Sequence, residues 1–180
     1  MKVWSNTTLL LSDERLVEEN SVESNMGMIK YQLIDKITVD TYPSLVPIVN
    51  GYQLEKSNQI IEMLNIKAKP LLPPTAAFLG VGKDGHTASL FPDSEYDFIC
   101  EDPFIIVERV SEPFKRVSLS ATVLTQTPFL FFLVSGKEKQ PIIDHIFNAS
   151  KDDLMLPVQS IIQHAKADIL LLCDQQAAAI

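Results

Sequence analysis

Three of the chain's six glycines fall within the six residues from Gly80 to Gly85, in the run Gly80-Val81-Gly82-Lys83-Asp84-Gly85-His86-Thr87. Glycines this dense let the backbone enter left-handed conformations and approach a ligand closely. An imidazole carried on such a turn can take up a proton near neutral pH, and a carboxylate two residues before it can orient the ring. His86 and Asp84 are therefore candidates for a general base and its orienting partner. A plainer reading of the same residues is a tight strand-to-helix turn whose histidine serves as a cap. The spacing GVGKDG also fits a dinucleotide fingerprint, which wants an acidic residue about twenty positions on at the end of the next strand. Glu101 and Glu108 are near that range, but neither follows an uninterrupted βαβ unit.

Other chemically capable groups also follow apolar runs. Asp13-Glu14-Arg15 comes after Thr8 to Ser12 (TLLLS), and Gly136-Lys137-Glu138-Lys139 comes after Phe129 to Val134 (FLFFLV). Arg116 opens the run RVSLS. Asp13-Glu14-Arg15 alone reads as solvated charge, Lys137 and Lys139 read as phosphate capture at a helix start or as solubilising charge, and Arg116 as an anion ligand or surface charge. In open parallel sheets, however, ligands lie beyond the carboxyl ends of the strands, where loops and helix N-termini meet. The pattern predicts that three strand ends bring charge, glycine and histidine to one edge. His145 and His164 sit on apolar helical stripes and read as packing residues, as does Trp4.

The elements that would position these groups alternate along the chain. Apolar runs at Thr8 to Ser12, Ala76 to Leu79, Phe104 to Val107, Phe129 to Val134 and Asp168 to Cys173 read as strands. Amphipathic stretches at Ser24 to Lys36, Leu54 to Ile66 and Lys139 to Phe147 read as helices. The piece from Pro70 to Pro74 stops a helix and leads into a strand. Continuous apolar strands separated by amphipathic helices predict an α/β fold, a Rossmann-like mostly parallel sheet with helices on both faces.

Composition narrows the function. The 180 residues are read as one domain, and 46% hydrophobic with 21% charged residues are ordinary globular values. Fifteen Lys and Arg against 23 Asp and Glu give a net charge of −8, which excludes sequence-independent nucleic-acid binding. An anionic ligand would need the few basic residues gathered at one spot. Cys100 and Cys173 have no metal or disulfide spacing, so reduced thiols and no bound metal are expected. The N-terminus lacks a signal pattern and no apolar run approaches the roughly 18 residues of a membrane span, so a cytoplasmic protein without membrane contact is expected.

The thirteen-residue run Gly80 to Pro92, GVGKDGHTASLFP, resembles the signature of the 6-phosphogluconolactonases. The likeness extends in order through Asp13-Glu14-Arg15 with Val17, Ser24-Asn25, Arg116 ahead of SLS, the Gly136-to-Lys139 turn, Leu156-Pro157 and Asp174. The related glucosamine-6-phosphate deaminases share a GxGxDGH turn. They follow it with a stretch ending in Asn-Glu-Pro and carry Asp-Glu-Tyr at the acidic strand end, where this chain has Ala88-Ser89-Leu90-Phe91-Pro92 and Asp13-Glu14-Arg15. Lys83 stands where the 6-phosphogluconolactonases usually have an acidic residue. Family members also begin with an earlier strand–helix unit bearing a Ser-Gly-Gly-Ser/Thr phosphate loop, which nothing here matches. The chain is therefore expected to be N-terminally truncated relative to the family.

The resemblance implies hydrolysis of 6-phosphoglucono-δ-lactone to 6-phosphogluconate, a step of the pentose phosphate pathway, with no cofactor and no metal. It implies His86 as the base that activates water, with Asp84 shaping the turn. Backbone N–H groups of the turn at Gly82 and Gly85, or Arg15, would stabilise the oxyanion. Arg116 and Lys139, with Arg15 as a further choice, would hold the phosphate, and Asp13 would position Arg15 or the sugar hydroxyls. Asn25 belongs to the expected substrate contacts. The partner is a phosphorylated sugar lactone. Two other readings stay open: a non-catalytic or inactive sugar-phosphate-binding relative, and a glucosamine-6-phosphate deaminase.

Overall fold

A computed structural model describes residues 4–38, 41–48, 56–94, 99–150 and 154–178. The protein is α/β, with mostly parallel strand pairing. Its chain divides into two compact units, residues 1–69 with 104–118, and residues 70–103 with 119–180.

The first unit holds two small sheets. Strand β1 (Thr8–Leu10) pairs in parallel with β3 (Ser44–Val46). Strand β2 (Asp13–Arg15) pairs antiparallel with β6 (Arg116–Leu119), opposing Arg15 to Arg116 and Asp13 to Ser118, and β5 (Phe104–Val107) lies on the other side of β6. Helix α1 (Asn25–Gln32) starts at Ser24, whose hydroxyl accepts the Gly27 N–H at 3.0 Å, and a 3-10 turn at Ile34–Lys36 follows it. The expected helix from Ser24 to Lys36 is thus an α-helix and a tighter turn, consistent with a helical stretch whose apolar positions are sparse. Helix α2 (Ser57–Ala68) runs beside β5, and Asn65 brackets the backbone of Phe104, donating to its carbonyl at 3.3 Å and accepting its N–H at 2.8 Å. The expected beginning of this helix at Leu54 lies outside the described residues. Leu11, Leu16, Val17, Met26, Leu64, Phe104 and Val117 are buried here.

The second unit is built on a parallel sheet, β4 (Ala76–Gly80), β7 (Phe129–Val134) and β8 (Asp168–Cys173), in the order β4-β7-β8. The last two match the expected apolar runs residue for residue. Around them lie α3 (Ala121–Gln126), α4 (Gln140–Asn148) and α5 (Pro157–His164); the sequence pattern predicts α4, and for α5 only the helical stripe at His164. The register puts Ala77, Leu79, Leu130, Phe132 and Val134 on one face, all buried. The other face carries Phe78, Phe129, Phe131, Leu133, Leu170 and Leu172, and there Phe78 is 66% and Leu172 47% exposed. Phe78 and Phe131 stack across it with ring centroids 4.8 Å apart.

The two faces therefore differ in what they contribute. Phe132→Ala, at a fully buried position, should cost about 3–5 kcal/mol of stability, whereas Leu172→Ala should cost less than about 1.5 kcal/mol. Urea unfolding of the two variants checks this; equal losses would contradict the one-sided burial.

Candidate active site

The residues singled out for chemistry form two clusters, one in each unit. In the second unit, β4 ends at Gly80 and the chain turns through Gly82, Asp84 and Gly85 to His86. Gly82 N–H donates to the His86 carbonyl at 2.8 Å, and Gly85 N–H to the Gly82 carbonyl at 3.1 Å, closing a compact loop. Within it, His86 Nδ1 and Asp84 Oδ1 are 2.6 Å apart. Asp84 Oδ1 also accepts the His86 backbone N–H at 3.2 Å. Gly82 is required sterically, because a Cβ there would collide with the His86 ring and the Asp84 carboxylate. Gly85 is required conformationally, with φ +82°, and also because Leu156 fills the space where a side chain would go. The Gly85 carbonyl accepts the Val158 N–H at 3.1 Å, so the start of α5 braces the turn.

The segment after His86 is an anchor. Thr87, Ser89, Leu90 and Phe91 are buried, and the Thr87 hydroxyl donates to the Gly80 carbonyl at 3.0 Å. The His86 ring rests against Phe91, centroids 4.6 Å apart, while the His86 side chain stays 32% exposed. Burial pushes the Asp84 carboxyl up, but hydrogen bonds from the His86 side chain and backbone outweigh it and hold the group below its ordinary value. An ionised Asp84 can only accept, so the imidazole places its proton on Nδ1 and leaves the Nε2 lone pair available. Nε2 has no hydrogen-bond partner among the described residues. Lys83 is exposed.

The end of β7 delivers the next group. Gly136, at φ +97°, turns the chain, its N–H held by Asp174 Oδ2 at 3.0 Å. Lys139 then reaches back to the Val81 carbonyl, Nζ to O 2.5 Å, one residue before Gly82. The expectation that the ends of β4 and β7 converge holds for His86 and Lys139.

The first unit brings together Asp13, Arg15, Asn25 and Arg116. Alternation along β2 sends Asp13 and Arg15 to one side and Glu14 to the other. Arg15 Nη1 donates to Asn25 Oδ1 at 3.0 Å and to the Glu23 carbonyl at 3.4 Å, and Asn25 Nδ2 donates to the Asp13 carbonyl at 2.9 Å. Arg15 Nε is shielded from solvent with no hydrogen-bond partner. Arg116 is largely enclosed and engaged by acids: Glu112 lies 2.7 Å from its Nε and 2.6 Å from its Nη2, and Asp13 lies 3.7 Å from its Nη1. Glu112 also takes Arg109 Nη1 at 3.1 Å. Burial pushes the Glu112 carboxyl up, but the Arg116 guanidinium, with help from Arg109, brings it below its ordinary value. His145 Nε2 meets the Leu154 carbonyl at 3.1 Å and His164 Nδ1 the Ser160 carbonyl at 2.8 Å, but His164 is exposed, so it is not the packing residue expected. Among the described residues no group of three or more His, Cys, Asp or Glu could hold a metal ion, and no helix is long and apolar enough to cross a membrane.

Glu14, Glu112 and the Leu156 brace were not singled out as site features from sequence. Glu112 and Arg116 do carry a readable i, i+4 charge pair, but outside a helix that spacing has no geometric meaning.

Residues 2–171 match the family described as glucosamine-6-phosphate isomerases/6-phosphogluconolactonase. The chain belongs to this family. Among curated relatives, 6-phosphogluconolactonase 3 of Saccharomyces cerevisiae is 29% identical over 158 residues, covering 84% of this chain and 63% of the yeast protein. The chain thus spans less than two thirds of that relative's length. The 6-phosphogluconolactonase of Helicobacter pylori is 27% identical over 165 residues, covering 91% of this chain and 70% of the relative. The solved 6-phosphogluconolactonase from Leishmania guyanensis superposes with a TM-score of 0.76 at 26% identity, over 94% of this chain and 72% of that one. The fold of this isomerase/lactonase family is therefore the fold of this chain.

Two variants probe the clusters. Gly82→Ala should separate Asp84 from His86, seen as loss of the downfield Nδ1 proton resonance in NMR spectra; a retained resonance would show that the turn can yield. For Glu112→Gln, the sign follows from a carboxyl lowered in the folded state. Its contribution is present above the ordinary value of 4.5 and is lost as pH falls through the lower folded value. The variant should be about 1–2 kcal/mol less stable than the parent near pH 7, the gap closing as pH falls through the lowered Glu112 value. Urea unfolding across that range checks it; a gap independent of pH would remove the ion pairs from the account.

Proposed function

We propose that the protein hydrolyses 6-phosphoglucono-δ-lactone to 6-phosphogluconate. The observation that carries this reading is the Asp84–His86 contact of 2.6 Å on a glycine turn, with Nε2 of the ring left available. Lactone hydrolysis needs a base for water, a donor for the tetrahedral oxyanion and a cation for the phosphate. His86 Nε2 takes the proton from water as the oxygen attacks the lactone carbonyl carbon. Asp84 holds the ring in the tautomer this requires and stabilises the imidazolium that forms. Collapse of the intermediate opens the ring ester, and the imidazolium returns its proton to the departing ring oxygen. Backbone N–H groups of the Gly80-to-Gly85 turn answer the oxyanion and Lys139 is a cation for the phosphate; Arg15, held by Asn25, and Arg116 are the first unit's candidate cations.

The three proteins named above, all called 6-phosphogluconolactonases, support the choice of substrate. So do Ala88-Ser89-Leu90-Phe91-Pro92 after the histidine and Arg15 in the acidic triplet. A cytoplasmic location fits the same metabolic role.

His86→Ala should lower kcat by about 10²–10⁴ in a folded protein. Lys139→Ala should chiefly raise KM, by about 10- to 100-fold, because it meets a phosphate remote from the reacting bond. Lactone hydrolysis is followed as acid release at constant pH, beside an assay for ammonia from glucosamine 6-phosphate. Near-wild-type turnover in His86→Ala would remove the base. Ammonia release without lactone hydrolysis would replace the reading by deamination, and 6-phosphogluconate binding without turnover would replace it by a binding module.

A further inference from the structure

Glu14 is the only charged side chain buried among the described residues, at 2% exposure, although it stands in a triplet whose neighbours are the expected ligands. Every oxygen lone-pair direction is in use. Oε1 accepts the backbone N–H of Arg15 and of Asn25, each at 2.8 Å. Oε2 accepts the Met26 N–H at 2.8 Å and the Ser24 hydroxyl at 3.1 Å. An ionised carboxylate is the form that accepts from four donors at once, and the first-turn N–H groups of α1 add favourable dipoles. The N-terminus of α1, which could have served an external anion, is occupied from inside.

The consequence lies on the other side of β2. Asn25, which gives its N–H to Glu14, uses its side chain to grip Arg15 Nη1 and the Asp13 carbonyl. Glu23, whose carbonyl takes the same guanidinium, directly precedes the cap Ser24 that Glu14 binds. Glu14 thus fixes the distance between the strand that carries Arg15 and the helix start that aims it. We propose that Glu14 is a positioning residue for the substrate-binding arginine, acting through Arg15 and touching no substrate itself. This rests on the lactonase reading for the role of Arg15 as well as for the assay.

The test is a double-mutant cycle in the full chain, with Glu14→Gln, Arg15→Ala and the pair, each checked by circular dichroism and thermal unfolding. Glu14→Gln keeps the shape but turns an N–H₂ group towards donors, so α1 should shift while the fold survives. Glu14→Asp, which keeps the charge on a shorter arm, serves if Gln unfolds the protein. The expected result is a loss of tenfold or more in kcat/KM for lactone hydrolysis, divided between kcat and KM as in Arg15→Ala. In the Arg15→Ala background the same change should cost less than twofold. Equal fold-losses in both backgrounds would make Glu14 merely structural and overturn the proposal, as would a folded Glu14→Gln protein of unchanged kcat/KM. Calorimetric titration with 6-phosphogluconate supplies the same cycle in Kd. A wild-type chain that binds it without hydrolysing lactone ends the lactonase reading while the cycle still decides on Glu14, and one that neither binds nor hydrolyses overturns both.

Discussion

The chemistry of the second unit depends on a hydrogen bond between two side chains only two residues apart. Asp84 and His86 can meet at 2.6 Å because the backbone folds back under them, and it can fold back because nothing projects from Gly82. An extended strand would carry two such side chains on the same face but side by side along the chain, whereas the loop closed by Gly82 and His86 turns the carboxylate towards the ring. The remaining structure holds that loop still. Thr87 ties it to the end of β4, Phe91 backs the imidazole, and Leu156 with Val158 closes the space around Gly85. Order in the loop comes from buried apolar contacts and backbone hydrogen bonds, so the polar pair itself can stay partly in water.

How far this was legible in the sequence follows from how local each cause is. The glycines, Asp84 and His86 lie within one turn, so their types and spacing already contain the geometry. Strands β5, β7 and β8 were legible because they are unbroken apolar runs of four to six residues bounded by turn or charge signals. Strands β2 and β6 were not, because DER and RVSL carry little apolar pattern, and each is a strand by pairing with a partner about a hundred residues away. Helix α5 is legible only at its end, in the stripe around His164, because the buried face of Val158, Ser160 and Ile161 spans barely one turn.

Burial of Glu14 marks the limit of composition arguments. A charged triplet after an apolar run is ordinarily solvated, and in this chain two of its members are at least partly so. The third is enclosed, and what makes enclosure tolerable is four donors converging from β2 and the start of α1. Three of those donors come from Ser24, Asn25 and Met26, whose relation to Glu14 is set by the loop between them. Reading Ser24 as a helix start was possible; reading it as a partner of Glu14 required the fold.

The chain carries a net charge of −8, so a cation's partners decide how much of its charge is left. Partner chemistry sorts its cations. Lys139 is held by a backbone carbonyl, which orients the ammonium and leaves its charge uncancelled. Arg15 is likewise held by an amide oxygen and a backbone carbonyl, with its Nε unpartnered. Arg116 instead faces Glu112 at 2.6 Å and Asp13 at 3.7 Å, so an incoming phosphate would have to displace a carboxylate before gaining from the guanidinium. Neutral acceptors position without compensating, and carboxylates do both. On that ground Lys139 and Arg15 would each attract an anion at once, whereas at Arg116 one anion must first be exchanged for another.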